Sequence, residues 1–357
     1  IELEENLRRE DLTFEEECNM KCELLRVQQD LYGVKTSTNP DAEGVSLRDV
    51  ASIIGISHSQ LSRDIKLSET MKMFPELQWD KCKTKTDALK LQNKLEETYI
   101  RKELAKRAEA SMGSQTSSSF LTKLANSYIV GDFFEGVKDF PDGIFDLVEI
   151  DPPYAIDLQS VKKDYAYDHE KYNEISKEDY PDFMNRLFKE CYRLMSSNSW
   201  LLCWYGQGFD NSWGEKIFSW LTKAGFAVNI LPCSWIKPTG QTQNPSTNLA
   251  NACECFLYAK KGSPVLARQG RTNIFPYDTV TSSKKIHPTE RPMELIDDII
   301  TTFAMENARV LVPFAGSGKT LMSAAKNNMI PVGFDLTSAY RNSYILAIQT
   351  LFGKEVK

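Results

Sequence analysis

The most regular structural pattern of the chain is found in Ala308-Arg309-Val310-Leu311-Val312-Pro313-Phe314-Ala315-Gly316-Ser317-Gly318-Lys319-Thr320, which leads into Ile330-Pro331-Val332-Gly333-Phe334-Asp335. The apolar start predicts a strand, the two glycines predict a tight turn, and a helix near 319–327 precedes a second strand. A similar alternation of strands and helices extends back to Asp146. It predicts an α/β domain with a mostly parallel, doubly wound sheet.

The glycine turn at 313–318 has three interpretations. Its Gly-Lys-Thr ending matches a phosphate-binding loop, but Pro313 stands at the first glycine of that pattern and has no backbone N–H, which disfavours a nucleotide triphosphatase. Glycines after a strand also let the backbone approach a cofactor closely, and Asp335 at the next strand end would accept hydrogen bonds from ribose hydroxyls. A tight turn without a ligand is the third interpretation.

A second motif, Asp151-Pro152-Pro153-Tyr154, directly follows the predicted strand that ends at Ile150. Two prolines make a stiff, extended turn without amide donors, so its carbonyls can accept hydrogen bonds. Asp151 and the Pro152 carbonyl would accept from an exocyclic amine, while Tyr154 stacks on the ring that bears it. The motif therefore favours an amino-group substrate on a flat ring. The alternative is a solvent-exposed turn with an incidental tyrosine.

Length and composition limit the class of protein. The chain has 357 residues, 41% of them apolar, and a net charge of −6, which predicts a globular protein of about two domains. No apolar run is long enough for a membrane span, and eight cysteines fit a reduced, cytoplasmic setting. The Ser-rich linker at 111–119 marks the main boundary. We expect a helical domain at 1–80, a basic helix and linker at 81–119, and a catalytic domain at 120–357. Because the sequence opens without Met, we expect it to be a piece of a longer chain.

Taken together, the two motifs resemble the paired signatures of the S-adenosylmethionine-dependent DNA amino-methyltransferases. Their order, with Asp151-Pro152-Pro153-Tyr154 before the glycine turn, is similar to the circularly permuted β group of that family. Residues 130–135 resemble its strand-and-acid element, and residues 285–292 resemble its Lys-x-His-Pro-Thr-x-Lys-Pro element. The resemblance covers roughly residues 125–350. It implies a Rossmann-like methyltransferase sheet with S-adenosyl-L-methionine as cofactor.

The resemblance also implies roles for the matching residues. The catalytic set would hold the target base and consists of Asp151, Pro152, Pro153 and Tyr154. The cofactor-binding set consists of Asp132, Phe133, Asp151, Lys285, His287, Thr289, Pro313, Phe314, Ala315, Gly316, Ser317, Gly318 and Asp335. Three residues depart from the family pattern: Val312 replaces an acid, Lys319 replaces a Thr, and Arg291 replaces a Lys, which keeps the charge but not the geometry.

These roles imply methyl transfer to an exocyclic amino nitrogen of a DNA base that has left the duplex, without a cysteine nucleophile. The acid at the first position of the catalytic turn favours adenine N6 in this family. Methylation of cytosine N4 or of RNA is an alternative. Another is a partition-like DNA-binding protein with an inactive methyltransferase domain. We expect a phage or bacterial enzyme of the restriction-modification kind.

The N-terminal part contains a segment, residues 44–65, that resembles a helix-turn-helix, with Ala51 and Gly55 spaced for the helix crossing and the turn. The predicted DNA contacts on its second helix are Ser57, His58, Ser59, Gln60, Ser62 and Arg63. Residues 1–13 resemble part of the ParB-type partition proteins. A small helical protein–protein module is the alternative. It is favoured by the charge of −8 over residues 1–80 and opposed by the charge of +4 over residues 81–110.

A second basic segment lies inside the predicted catalytic domain. Residues 236–291 carry a charge of +5, which includes Lys237, Arg268 and Arg271, and the stretch at 240–248 is rich in Asn, Gln and Thr. We predict that the insertion near 236–285 reads DNA sequence; a variable surface insertion is the alternative. The predicted partner is double-stranded DNA and not a membrane, and a homodimer is left open. No metal site is predicted, because the three histidines do not cluster.

Overall fold

The computed structural model of the chain describes residues 12–35, 44–112, 118–153, 175–206, 213–242, 244–280 and 291–352. These residues form two compact units, one that ends at Tyr99 and one that starts at Ile100. The boundary falls inside a long helix, Lys85–Met112. The division of the chain into domains at 80 and 119 stays a prediction.

The first unit is helical. Its helices are α1 Phe14–Tyr32, α2 Leu47–Ile54, α3 His58–Met73 and the first part of α4 Lys85–Met112, with a short 3-10 helix at Trp79–Lys81. Helix α2 ends at Gly55, whose φ of 73° is the left-handed conformation that glycine adopts without strain, and this lets the chain turn into α3. Val50, Leu61 and Ile65 are buried together between these helices. These apolar contacts hold α2 and α3 together.

The second unit combines helices with one sheet. Its further helices are α5 Ser118–Asn126, α6 Phe133–Gly136, α7 Tyr180–Leu194, α8 Trp213–Lys223, α9 Met293–Phe303, α10 Lys319–Lys326 and α11 Ser338–Phe352. Its strands are β1 Tyr128–Val130, β2 Phe145–Ile150, β3 Met195–Tyr205, β4 Ala227–Val228, β5 Cys233–Gln241, β6 Asn251–Lys261, β7 Ile274–Pro276, β8 Arg309–Val312 and β9 Ile330–Asp335.

Among the described residues, nine strands form one sheet in the order β1-β9-β8-β2-β3-β6-β5-β7, with β4 paired to β6. The pairings from β1 to β3 are all parallel, and β7 is parallel to β5. Strand β6 runs antiparallel to β3, β4 and β5. The predicted α/β fold with a mostly parallel sheet is confirmed. Its antiparallel end was not foreseen, because a strand's local pattern does not reveal its direction.

Helices cover both faces of the sheet, as in a doubly wound fold. Successive residues of a strand point to opposite faces, so Leu202 and Trp204 of β3 join one hydrophobic cluster, whereas Leu201 and Cys203 join the other. Helices α9, α10 and α11 pack on the first face, and α7 and α8 pack on the second. The sheet is therefore buried between two helical layers.

The strand order reverses between β2 and β8. These strands are parallel neighbours, with Leu147 beside Val310, and the chain continues from β8 to β9 on one side and from β2 to β3 on the other. In open α/β sheets, ligands bind outside the carboxyl ends of the strands at such a switch point. Asp151 follows β2 and the glycine turn follows β8, so both sequence motifs lie at this point.

No helix within the described ranges is both long and apolar enough to cross a membrane.

Candidate active site

The glycine turn leads from β8 into α10 and uses two left-handed residues. Gly316 has a φ of 49° and Gly318 a φ of 73°. Gly318 precedes the first residue of α10, and a Cβ atom added there would lie 2.3 Å from Cδ2 of the buried Tyr344. Only glycine satisfies both the backbone conformation and this close approach. The turn is thus built tightly against the layer formed by α11.

Asp335 fixes the same turn from the end of β9. Its Oδ2 accepts a hydrogen bond of 2.8 Å from the backbone N–H of Gly316, and its Oδ1 accepts one of 2.9 Å from the N–H of Thr337. The Tyr128 hydroxyl donates to the Gly316 carbonyl at 2.7 Å. The side chain predicted to meet a ribose therefore also orders the backbone of the glycine turn.

The turn after β2 places Asp151 at the edge of a cleft, and Pro152, the next residue, is buried. The guanidinium of Arg291 donates two hydrogen bonds to this carboxylate, from Nη1 to Oδ2 at 2.6 Å and from Nη2 to Oδ1 at 3.2 Å. Such a bidentate pair fixes the plane of the carboxylate as well as its position. Tyr154, the fourth predicted residue of the motif, lies outside the described residues.

Arg291 is itself held on several sides. Its guanidinium carbon lies 3.8 Å from the centre of the Trp204 ring, and its Nε donates to Glu254 Oε2 at 3.3 Å. The Lys319 ammonium donates to the Arg291 carbonyl at 2.9 Å, which ties this residue to the start of α10. Only 8% of the Arg291 side-chain surface is exposed. The arginine is therefore a buried and oriented part of the site.

Glu149 is a buried carboxyl group two residues before Asp151. Its Oε1 accepts a hydrogen bond of 2.7 Å from the Trp204 indole, and its Oε2 accepts one of 3.3 Å from the Thr320 hydroxyl. Burial, and secondarily the charge of Asp151, raise the pKa of Glu149 from an ordinary 4.5 to about 7, although Arg291 and both hydrogen bonds act in the opposite direction. The site thus contains a second acidic group that changes its ionisation near neutral pH.

One cleft joins the two motifs. It is lined by Glu149, Asp151, Arg291, Ile296, Phe314, Ala315, Gly316, Ser317, Lys319 and Thr320. The candidate substrate acceptor Asp151 and the predicted cofactor residues 314–317 therefore face the same space. Pro313 is buried at the end of β8, next to this lining.

The remaining predicted cofactor residues lie in different surroundings. Asp132 is exposed and caps α6, where its Oδ1 accepts from the N–H of Glu135 at 3.0 Å. Phe133 is 3% exposed and packs edge-on against Phe334, so the structure places its ring in the core. Lys285, His287 and Thr289 lie outside the described residues.

The predicted DNA contacts of the N-terminal unit are on its surface. Ser57 caps α3 by accepting from the N–H of Gln60 at 3.1 Å, and His58, Ser59, Gln60 and Arg63 are exposed. The structure therefore forms two helices and a turn at residues 44–65, with these side chains accessible. Their binding to DNA stays a prediction.

The predicted DNA contacts of the second unit have protein partners. Lys237 pairs with Glu254 at 2.7 Å and lies over the Trp235 ring. Arg271 pairs with Asp298 at 2.6 Å and is mostly buried, whereas Arg268 pairs with the same carboxylate but is half exposed. Of the three, Arg268 is the most accessible to a DNA phosphate. None of these contacts tests the predicted DNA-reading role.

The residues in and around the site that were not predicted as functional include Glu149, Trp204, Glu254 and Arg291. Glu149 could have been identified from the sequence as an acid inside the apolar strand Phe145–Ile150. Burial of a carboxyl group costs free energy, so such a residue is rare unless it has partners or a function. Arg291 was noticed only as a departure from the family pattern. Trp204 and Glu254 had no local signal, since their roles come from contacts between distant strands.

The chemistry of the cleft fits S-adenosyl-L-methionine. Lys319 supplies positive charge suited to the carboxylate of an amino acid, and the glycines permit close approach of the backbone. Phe314 adds an apolar surface to the same lining. Among the described residues there is no group of three or more His, Cys, Asp or Glu side chains that could hold a metal ion.

The strand order and the cleft define an α/β protein whose candidate site lies at the carboxyl ends of β2 and β8. The family profile N6_N4_Mtase, described as DNA methylase, matches residues 145–346, which is more than half of the chain, and the chain belongs to this family. The protein is thus a DNA methyltransferase by family, and S-adenosyl-L-methionine is its cofactor.

Comparison with individual proteins gives distant relatives. The protein YubD of Escherichia coli (strain K12) is 24% identical over 216 residues, which cover 60% of this chain and 87% of YubD. The type II methyltransferase M.HpaI of Haemophilus parainfluenzae is 23% identical over 230 residues, or 59% of this chain and 70% of that protein. Among solved structures, the M1.HpyAVI–SAM complex is 20% identical with a TM-score of 0.49, and the match covers 63% of this chain and 98% of that one.

Proposed function

We propose that the protein transfers the methyl group of S-adenosyl-L-methionine to the exocyclic amino group, N6, of adenine at specific sites in DNA. The observation that carries this proposal is the single cleft that Asp151 shares with the glycine turn. An acceptor for an amino group and a backbone suited to the methyl donor then lie side by side. The family supplies the coarser reaction, methylation of DNA.

Methyl transfer to an amino nitrogen depends more on the position of that nitrogen than on a strong base. The lone pair of an aromatic amino group is delocalised into the ring, so the nitrogen is a poor nucleophile. Hydrogen bonds from this amine to Asp151 and to the Pro152 carbonyl would favour a tetrahedral nitrogen and direct its lone pair toward the methyl group. S-adenosyl-L-methionine supplies the activated methyl group when it is bound. The base must leave the duplex to reach the cleft, and we assign Tyr154 as the surface on which it stacks.

Adenine is preferred because an acid opens the catalytic turn, as in the adenine-specific members that the sequence resembles. The matching family is named for both N6 and N4 methylation, so cytosine N4 is the competing product. The placement of the chain in the β group, with the Asp-Pro-Pro-Tyr motif as its catalytic signature, belongs to the same proposal.

Recognition of DNA is assigned to two regions of the chain. In the N-terminal unit, the exposed start of α3 carries Arg63, and we propose that this ParB-like helix-turn-helix binds the duplex. In the second unit, the segment 236–285 carries Lys237, Arg268 and Arg271 and would read the target sequence. We further propose that the enzyme acts on DNA in the cytoplasm.

The base that is modified can be identified by mass analysis of nucleosides from plasmid DNA that was treated with the protein and cofactor. N6-methyladenine is the expected product. Asp151→Asn removes the charge at the catalytic turn and should abolish the product, whereas Asp139→Asn changes an exposed acid away from the cleft and should not. Methylcytosine without methyladenine would replace the adenine assignment by the N4 alternative.

A further inference from the structure

We propose that Arg291 is a positioning residue, which holds the Asp151 carboxylate in the orientation that accepts the amino group of the target base. This inference rests on the proposed function. It assigns a role to a residue that the sequence marked only as a departure, an arginine where the resembling family has lysine.

The first support is the geometry of the pair. Two nitrogens of one guanidinium meet the two oxygens of one carboxylate at 2.6 and 3.2 Å. A carboxylate has about four acceptor positions, and Arg291 engages one on each oxygen. The plane of the carboxylate is thereby set relative to the cleft. A lysine ammonium is a point charge and cannot fix that plane.

The second support is the set of contacts that hold Arg291. Its guanidinium lies on the Trp204 ring, its Nε contacts Glu254, and its carbonyl is bound by Lys319. These partners come from β3, β6 and α10. Because contacts with three elements restrict its side chain, Arg291 is less mobile than an arginine on the surface. Its fixed guanidinium therefore orients the Asp151 carboxylate.

The third support is electrostatic. Among the described residues, the ionisable groups that face Arg291 include Glu149 and Asp151 from β2 and its turn, Glu254 from β6, and Lys319 from α10. The charge of Arg291 opposes the mutual repulsion of Glu149 and Asp151. Without that charge, the repulsion between Glu149 and Asp151 would favour protonation of one of them. Asp151 would then lose its charge at a higher pH than in the wild type and would accept the amino group less well.

Lys237 extends this arrangement toward the segment predicted to read DNA. Its ammonium pairs with Glu254 Oε1 at 2.7 Å, while Arg291 Nε contacts Oε2 at 3.3 Å. Glu254 therefore lies between the catalytic pair and a residue of the proposed recognition segment. Its substitution should disturb Arg291 without removing any group that touches the base.

The test compares steady-state methyl transfer by the wild type, Arg291→Gln, Arg291→Lys and Glu254→Gln. Arg291→Gln should lower kcat about 100-fold, as expected for a misplaced reacting group, with a change of less than about threefold in KM for the cofactor. Arg291→Lys should lower kcat about tenfold, because one charge-assisted hydrogen bond is lost. The kcat of Glu254→Gln should lie between those of the wild type and Arg291→Gln. Arg309→Gln, an exposed change at the far end of β8, should match the wild type.

The pH profile separates positioning from a merely structural role. In Arg291→Gln the acid limb of the kcat profile should move to higher pH, and in Arg291→Lys it should stay in place because the charge is retained. A thermal double-mutant cycle of Arg291→Gln with Asp151→Asn gives a second readout that does not depend on activity. The two changes should be non-additive, since the residues are in contact.

The outcomes distinguish this inference from the proposed function. Wild-type protein that transfers no methyl group to any DNA overturns both. Active wild type, combined with an Arg291→Gln variant of unchanged kcat and pH profile, overturns the positioning role alone. Strictly additive stabilities in the cycle would also contradict it, because they would mean that the pair is not formed in solution.

Discussion

The backbone N–H of Gly316 donates a hydrogen bond of 2.8 Å to Oδ2 of Asp335, and this bond joins the loop after β8 to the end of β9. The loop and the acid are 19 residues apart in sequence. Because the second carboxylate oxygen binds the N–H of Thr337, one side chain orders two backbone segments of the cofactor edge. A side chain predicted to bind ribose thus has a structural task as well.

Asp335→Ala should weaken the binding of S-adenosyl-L-methionine by about tenfold or more, because a charge-assisted hydrogen bond to the glycine loop is lost. Asp335→Asn keeps an acceptor oxygen and should reduce the affinity for the cofactor less. Calorimetric titration measures the dissociation constants of both variants. The exposed Asp139→Ala serves as the control, and an Asp335→Ala variant that binds as tightly as this control would argue against the anchoring role.

Gly318→Ala should destabilise the protein more than Gly270→Ala. Both glycines have similar left-handed conformations, with φ of 73° and 75°, so the backbone strain of the two changes is matched. Only at Gly318 would the new Cβ meet the Tyr344 ring, whereas Gly270 faces open space. We expect an extra loss of about 1–3 kcal/mol from overpacking, measurable by denaturant unfolding. Equal decreases in the free energy of unfolding for the two variants would mean that the Tyr344 ring moves aside without destabilising the protein.

Glu149→Gln should change the pH dependence of stability. The folded-state pKa of Glu149, about 7, lies above its ordinary value of 4.5. The folded protein therefore holds this proton more tightly than the unfolded chain. Its stabilising contribution is complete below about pH 4.5 and is lost as the pH rises through about 7.

Glutamine keeps polar contacts to Trp204 and Thr320 but does not titrate. The Tm of Glu149→Gln minus that of the wild type should therefore increase between pH 5 and pH 8, by an amount equivalent to about 1–3 kcal/mol. The exposed Glu306→Gln is the matched control. A difference that stays constant with pH would contradict the raised pKa.

Arg63→Ala combined with Gln60→Ala should weaken the binding of duplex DNA about tenfold if α3 is a recognition helix, because contacts to bases and phosphates are lost. Arg26→Ala, an exposed change on α1, is the control. Fluorescence anisotropy at several salt concentrations measures the affinity and its salt dependence. Unchanged binding would favour the interpretation as a helical protein–protein module.

The fold was predictable because its signals are local. Strand, glycine turn and helix follow one another within the stretch from Ala308 to Asp335, and such alternation specifies a doubly wound sheet. Asp151 and the glycine turn lie close together because they follow β2 and β8, which are parallel neighbours in the sheet. Strand direction beyond β3 was not encoded locally and was therefore missed.

The pair of Arg291 and Asp151 was not predictable from spacing. The two residues are 140 positions apart, and their contact depends on how the segment before α9 packs on β3 and β6. Glu149 was within reach of sequence reasoning, as an acid in an apolar strand. Phe133, which matches a family motif, is 3% exposed and packs against Phe334, and its contact with the cofactor stays a prediction.

The most direct test of the central claim, that Asp151 and the glycine turn form one active site, measures two quantities on the same samples. These are the binding of S-adenosyl-L-methionine and the transfer of its labelled methyl group to plasmid DNA, for the wild type and for Asp151→Asn. We predict that the wild type binds the cofactor and labels DNA, and that the variant binds it within about threefold of the wild type yet loses at least about 100-fold in transfer. Undiminished transfer by Asp151→Asn, or cofactor binding by the wild type without any transfer to DNA, would contradict the claim.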